Sequence, residues 1–309
     1  MPAAEITSPE RSVVCVFADD TTHSLTALGR AHQALCADPP AVSPSGMLLH
    51  TCHRVEWYAV GSPAAPAAAL VSQPRTWGRR QALIRLAQIA AGTRSLVLGE
   101  RFIHRQVLGA AGRLPSGHPL FGLTTEALRL AEHARERFEL YATVDYSDLP
   151  QLLLGHRSGG PERRLLLLIG GGMLARVVAA VPPAGYERVV MMTRGPRKLR
   201  RLVDGLGTVT VVRAPSLARA LDGWPYDTVI ATTNLHPGYR RQVIEAACSP
   251  RCGGVVDLCC TPVLDQRPVG YRHLYDPDVL HILAAANEGM AQRAALARQW
   301  IAQHAEVPV

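Results

Sequence analysis

The chain has 309 residues, a hydrophobic content of 48% and a formal net charge of +8, which is enough for two domains with buried cores. It contains no apolar run of the roughly 18 residues that span a bilayer. The polar N-terminus "MPAAEITSPERS" lacks the apolar core of a signal peptide. We therefore expect a cytoplasmic protein that does not associate with membranes.

The seven cysteines are scattered, and a reducing compartment would keep them as free thiols. Cys248 and Cys252 have the spacing of two metal ligands, but no second pair of ligands lies nearby, so we expect no metal site. The positive charge suits a polyanionic partner such as nucleic acid. A solvated basic surface is the simpler explanation of the same charge.

The N-terminal half mixes two kinds of pattern. Strand-like apolar runs cover residues 12–18 and 46–60, and helical spacing covers residues 22–37, 79–92 and 124–142. A loop at 60–67 interrupts this region, and the segment 155–163, rich in glycine and charge, has the composition of a linker. These features predict an α+β domain over residues 1–155, which we interpret as the catalytic, substrate-binding domain.

After the linker, strand and helix patterns alternate. The continuous apolar run "RLLLLIG" is typical of a fully buried parallel strand. Four further strand-like runs follow, each separated from the next by a helical pattern: "ERVVMMTR", "TVTVVRA", "YDTVIATT" and "GGVVDLCC". The series predicts an α/β fold, with a Rossmann-like NADPH-binding domain over residues 156–275. An alanine-rich C-terminal helix is predicted within residues 276–309.

The segment "IGGGMLA" places Gly170, Gly172 and Ala175 in G-x-G-x-x-A spacing between a strand and a helix. In this context the first glycine allows a tight turn, and the second lets the backbone approach a pyrophosphate. The alanine lets the helix pack closely on the sheet, and the helix N-terminus supplies free N–H groups. The spacing predicts a dinucleotide site; a glycine-rich turn that binds nothing is the alternative.

The end of the second strand of this domain indicates which dinucleotide would bind. NAD-binding proteins place an acidic residue there to hold the ribose diol, whereas this chain has Thr193 and Arg194, followed by Arg197 and Lys198. These groups suit a 2′-phosphate, so we expect NADPH as the cofactor. A basic start to an ordinary helix is the alternative, but positive charge there opposes the helix dipole.

Cys52 lies within "LLHTCHRVEWYAV", at the end of an apolar strand. A thiolate can attack an activated acyl group to form a thioester, which hydride from NADPH then reduces to an aldehyde. We expect the neighbouring His53 and Arg54 to lower the pKa of Cys52. The alternative is that Cys52 is a small buried hydrophobic residue.

Several motifs resemble those of the glutamyl-tRNA reductase family. "TCHRVEWY" is similar to the family's T-C-N-R-x-E-x-Y, and "AAGTRSLVLGERFIHRQV" is similar to A-A-G-L-D-S-x-V-L-G-E-x-Q-I-x-x-Q-V. The dinucleotide loop, "TVIATTNLHPG" and the segment that begins "GGVVDLCCTP" also match, and all the matches occur in family order over about residues 46–290. The resemblance implies NADPH-dependent reduction of glutamyl-tRNA to glutamate-1-semialdehyde, the first step of the five-carbon route to tetrapyrroles (porphyrins).

The resemblance also implies roles for individual residues. Cys52 matches the family's nucleophile, and His53 could transfer protons beside it, as could His104, for which a surface position is the simpler expectation. The positions implied to bind substrate are Thr51, Arg54, Arg94, Ser95, Glu100 and Gln106. The implied partners are an aminoacyl-tRNA and an enzyme that uses the aldehyde.

The departures from the family pattern concentrate around the acyl site. His53 replaces an asparagine, Arg94 an aspartate and Phe102 a glutamine, and Arg85 stands where the family has a histidine. The family continues past the equivalent of Val309 into a dimerisation domain, so a monomer or weak dimer is expected here. Three alternatives remain: a reductase for another aminoacyl-tRNA, a thioester-forming transferase or hydrolase without reduction, and a non-catalytic regulatory homologue.

Overall fold

A computed structural model describes residues 12–37, 46–60, 75–154, 164–183, 185–232, 235, 237–265 and 267–306. The chain divides into two compact units. The first unit comprises residues 1–143 and 283–309, and the second comprises residues 144–282. Among the described helices, none combines the length and the apolar character needed to cross a bilayer.

The first unit is built on an antiparallel sheet, which has four strands in the described part of the chain, ordered β2–β3–β1–β4. The strands are β1 (Ser12–Asp19), β2 (Gly46–Thr51), β3 (Arg54–Val60) and β4 (Arg75–Gly78). The helices are α1 (Leu25–Ala37), α2 (Arg79–Ala90), α3 (Phe102–Ala111) and α4 (Leu120–Arg137). Apolar side chains from the sheet, α2, α3 and α4 share one core. The strand-like run 46–60 is therefore two strands, and α3 was not predicted.

The second unit has a parallel sheet, with six strands among the described residues, ordered β10–β9–β8–β5–β6–β7. Its strands are β5 (Arg164–Ile169), β6 (Tyr186–Met192), β7 (Val209–Val212), β8 (Tyr226–Ile230), β9 (Cys252–Asp257) and β10 (Tyr271–His273). Its helices are α5 (Leu149–Leu154), α6 (Met173–Ala180), α7 (Pro196–Leu202), α8 (Leu217–Ala220) and α9 (Pro237–Ala247). The strand order reverses beside β5, as in a doubly wound sheet, and the predicted Rossmann-like α/β fold is confirmed.

The last helix, α10 (Pro277–His304), is the predicted C-terminal helix. Met290, Ala297 and Ile301 recur with helical spacing on one face of α10 and are buried in the core of the first unit. The compact units therefore divide within α10, at residues 282 and 283, whereas the predicted domain boundary is at residue 275. At the other boundary, α5 belongs to the second unit, because Leu154 lies beside Gly254 of β9.

A charged cluster is buried at the centre of the first unit. Glu56 is fully buried, and its carboxylate accepts hydrogen bonds from Arg85 at 2.7 and 3.1 Å, from Tyr58 at 2.6 Å and from Arg54 at 3.2 Å. Arg85 also binds Asp19 at 2.8 Å. Burial alone would raise the pKa of Asp19, but hydrogen bonds from neighbouring threonines and Arg85, with the charge of Arg85, hold it well below its usual value. Two arginines thus neutralise two carboxylates.

We predict that Arg85→Leu lowers the free energy of unfolding by about 3–5 kcal/mol, because it leaves two buried carboxylates with one arginine. Urea denaturation followed by circular dichroism measures the change. The matched control is Arg105→Leu, on the exposed face of α3, which should change stability by less than about 0.5 kcal/mol. Equal effects of the two substitutions would show that the cluster does not stabilise the fold.

Candidate functional site

Cys52 occupies a tight turn between two paired strands. Thr51 of β2 is the register partner of Arg54 of β3, so Cys52 and His53 are the two residues that connect the strands. The His53 N–H donates to the buried Thr51 hydroxyl at 3.3 Å. The Cys52 and His53 side chains are both half-buried. Strand pairing on both sides therefore fixes the position of the thiol, as the chemistry of a nucleophile requires.

The protonation state of Cys52 differs from the expectation. Burial, with a further contribution from the negative charge of Glu100, raises the pKa of the Cys52 thiol to about 11. The prediction that His53 and Arg54 lower this pKa is wrong for the structure described, because the charge of Arg54 is paired with Glu56. At neutral pH the group is a thiol, and a base must remove its proton before it can attack.

Arg54 is held entirely by the protein. Its side chain is buried, and it donates one hydrogen bond to Glu56 and another to the backbone carbonyl of Arg94. Both contacts keep the guanidinium away from a forked pairing with a ligand carboxylate in this conformation. Arg54 instead joins the Cys52 turn to the loop that carries Arg94.

That loop connects α2 to α3 and carries two of the predicted substrate-binding side chains. The Arg94 side chain is exposed and its Nε donates to Gln88 at 2.8 Å, while Ser95 is half-buried with its hydroxyl 3.5 Å from Glu100. Glu100 itself is buried and accepts the backbone N–H groups of Phe102 and Ile103 at the start of α3. Its carboxylate therefore has a capping role that the sequence reading missed.

Two further candidate residues of the first unit, Gln106 and His104, lie on α3. Gln106 is half-buried on α3. His104, also on α3, lies 3.3 Å from the exposed Glu132 of α4, and burial lowers its pKa. The structure thus brings Thr51, Cys52 and Arg54 together with Arg94, Ser95 and Glu100.

Two histidines beside Cys52 were missed by sequence reasoning. His32 of α1 and His50 of β2 lie with Nδ1 and Nε2 2.7 Å apart, and His32 is buried. Burial, with the neighbouring charges of His50 and His53, lowers the pKa of His32 to about 3. Burial, with the charge of Arg113, lowers the pKa of His50 to about 4. The histidine pair is therefore neutral at pH 7. The sequence signal for this pair is the position of His50, two residues before Cys52.

The predicted dinucleotide loop in the second unit has the required geometry. Gly170 has a φ of +128°, and a Cβ there would lie 2.3 Å from the carbonyl oxygen of Ala231, so only glycine fits. A Cβ at Gly172, the residue before α6, would meet nothing within 4 Å. Ala175 is fully buried against the sheet. The loop therefore fits the backbone approach and close helix packing that a pyrophosphate needs.

The four residues predicted to select NADPH lie after β6. Thr193 is half-buried and its hydroxyl accepts the Gly195 N–H at 3.4 Å. Arg194, Arg197 and Lys198 are exposed, at and after the end of the strand. The three cations suit a phosphate ester at the surface, so the choice of NADPH stays a prediction.

We predict that iodoacetamide alkylates Cys52 slowly at pH 7, with a rate that rises about tenfold per pH unit and levels near the thiol pKa. The raised pKa of about 11 places that plateau above pH 10. Peptide mass spectrometry of pulse-labelled protein follows Cys52, with the exposed Cys248 as the internal control. A plateau below pH 8 would contradict the raised pKa.

Comparison with protein-family models found no match. Among solved structures, glutamyl-tRNA reductase from Methanopyrus kandleri has 20% sequence identity and a TM-score of 0.43, and the alignment covers 95% of this chain and 79% of that one. This likeness is too weak to support an argument about activity. Protein nfe2 of Rhizobium meliloti is 30% identical over 259 residues, which are 79% of this chain and 81% of that relative. The chain therefore belongs to the family of protein nfe2.

Proposed function

We propose that this protein is an NADPH-dependent reductase that converts an aminoacyl-tRNA to an amino aldehyde through a thioester on Cys52. Glutamyl-tRNA, which would give glutamate-1-semialdehyde, is the default substrate. The observation that carries the proposal is the combination of two features in one chain. One is the cysteine of the "TCHRVEWY" motif fixed in a hairpin turn, and the other is a loop that fits a dinucleotide.

The proposed reaction has two steps. The Cys52 sulfur attacks the acyl carbon, the bond from that carbon to the tRNA ribose oxygen breaks, and the thiol proton ends on the released hydroxyl. When bound, NADPH would supply the hydride that reduces the thioester carbon. The carbon–sulfur bond then breaks to give the aldehyde, and the sulfur takes a proton. Gly170 and Gly172 would place the cofactor's pyrophosphate, and the cations after β6 would hold its 2′-phosphate.

The protein must deprotonate Cys52 for the first step. The thiol pKa of about 11 means that a base acts as the bond forms. His53 lies next to Cys52 on the same turn, and it is the residue that we assign to this proton transfer.

The acyl donor could be a different aminoacyl group, since Arg94 places positive charge where the glutamyl-tRNA reductase pattern has an aspartate. A cation at this position disfavours an ammonium group and favours an acid. A cysteine transferase or hydrolase would need no NADPH, so cofactor binding separates it from the reductase. A non-catalytic homologue is the second candidate, favoured by the raised pKa of Cys52 and the internal pairing of Arg54.

We predict that the purified protein with NADPH converts one member of a panel of radiolabelled aminoacyl-tRNAs to an aldehyde, which is trapped as an oxime. Cys52→Ser should abolish product, because serine forms an ester that is a poorer hydride acceptor. Cys248→Ser, at an exposed cysteine, is the matched control and should retain activity.

No aldehyde from any donor, despite measurable NADPH binding, would reject the reductase and support the non-catalytic homologue. Thioester or hydrolysis product without NADPH consumption would instead support the transferase or hydrolase.

We predict that Arg194→Glu combined with Lys198→Glu weakens NADPH binding at least about tenfold, because two contacts to the 2′-phosphate become repulsive. NADH binding should change little, since NADH lacks that phosphate. Fluorescence titration measures both affinities. The matched control is Arg188→Glu, at an exposed arginine on β6. An equal loss of affinity for NADPH and NADH in the double variant would contradict the assignment.

A further inference from the structure

The loop between α2 and α3 is held by side chains that bind its backbone carbonyls. Arg298 of α10 donates to the Thr93 carbonyl at 2.8 Å, and Asn287 of α10 donates to the Leu96 carbonyl at 2.7 Å. Arg54 of β3 donates to the Arg94 carbonyl. The side-chain amide oxygen of Asn287 also accepts the Leu98 N–H at 2.9 Å. Side chains distant in sequence therefore fix three successive parts of the loop.

These contacts determine which way the amide groups of the loop point. In a planar trans peptide the N–H points opposite to the carbonyl of the preceding residue. The N–H groups of Arg94 and Val97 therefore point away from α10, which holds the carbonyls of Thr93 and Leu96. The Ser95 N–H points away from Arg54 in the same way.

Four consecutive amides in this loop lack hydrogen-bond partners among the residues that the structure describes. They are the N–H groups of Arg94, Ser95, Leu96 and Val97, which we call the amide cradle. The amides on either side, of Thr93 and Leu98, are both bonded. Val97 is 1% exposed, so its N–H is a buried donor with no acceptor in the described parts of the chain. Buried amides nearly always have partners, so the Val97 N–H in particular points to an acceptor from outside the chain, and the three amides before it are open to the same acceptor.

The charge beside the amide cradle indicates the sign of that ligand. Arg94 is exposed with its Nε held by Gln88, whereas the Ser95 hydroxyl donates to Glu100. Glu100 lies 3.5 Å from that hydroxyl, and its oxygens also accept the N–H groups that open α3. Successive backbone N–H groups with a guanidinium form an anion-binding concavity.

We propose that the amide cradle and Arg94 bind an oxyanion, a carboxylate or a phosphate, of a ligand that enters the first unit. The site lies beside the candidate nucleophile, since Arg54 bonds the Arg94 carbonyl and follows Cys52 by two residues. In this proposal Arg94, and not Arg54, binds the anion, because the Arg54 guanidinium is paired with Glu56. Binding of the anion does not depend on thioester chemistry, so this proposal and the reductase proposal fail separately.

The test is an NMR titration of the full-length protein, labelled with ¹⁵N, by glutarate and separately by inorganic phosphate. We expect saturable shifts concentrated on the amides of Arg94, Ser95 and Val97. Arg94→Gln should weaken the binding about tenfold, as expected for loss of one charge-assisted contact. Arg105→Gln, which removes an exposed arginine of α3, should leave it unchanged.

A second variant tests the loop geometry. Asn287→Leu releases the Leu96 carbonyl and should weaken anion binding, while Gln292→Leu, at an exposed position on the same helix, should not. Tighter binding of glutarate would assign the site to a carboxylate, and tighter binding of phosphate to a phosphate ester. Absence of saturable shifts at these amides, or equal affinities of Arg94→Gln and Arg105→Gln, would overturn the proposal.

Discussion

The first unit depends on one buried carboxylate. Glu56 lies at the centre of β3 and receives hydrogen bonds from a residue of its own strand, Arg54, from a tyrosine two residues on, and from Arg85 of α2. Because Arg85 also binds Asp19 of β1, one cluster joins two strands and a helix. A buried ion cluster of this kind tolerates no loss of a member, since the remaining charges would lose their partners in a medium that solvates them poorly.

The same cluster determines what the candidate site can offer a ligand. Arg54 follows Cys52 by two residues, yet its hydrogen bonds go to Glu56 and to the Arg94 carbonyl. The charge of Arg54 is therefore committed to these partners, and burial is the largest cause of the raised pKa of Cys52. The side chain of Arg94, in contrast, is exposed. The arginines that stabilise the fold, Arg54 and Arg85, are thus buried, whereas the candidate ligand-binding arginine, Arg94, is exposed.

The sequence predicted features that are local in the chain. The run Leu165–Ile169 is buried and predicted the parallel strand β5, and the spacing of Gly170 and Gly172 predicted the tight turn between β5 and α6. Relations between distant residues escaped prediction. His32 and His50 meet only because α1 packs beside β2, and Asn287 reaches a loop that lies about 190 residues earlier in the chain. Glu100 caps α3, a role that a family motif does not reveal.

Arg85 shows why a departure from a family pattern has to be interpreted in its surroundings. Where the glutamyl-tRNA reductase pattern has a histidine, the substitution alone suggests a lost catalytic group. In this fold, a neutral residue at position 85 would leave Asp19 and Glu56 with only Arg54, and so with an excess negative charge in the core. Arg85 restores the charge balance of the cluster. Position 85 therefore supplies the counter-charge for two buried carboxylates, and its departure from the pattern does not by itself report on the chemistry at Cys52.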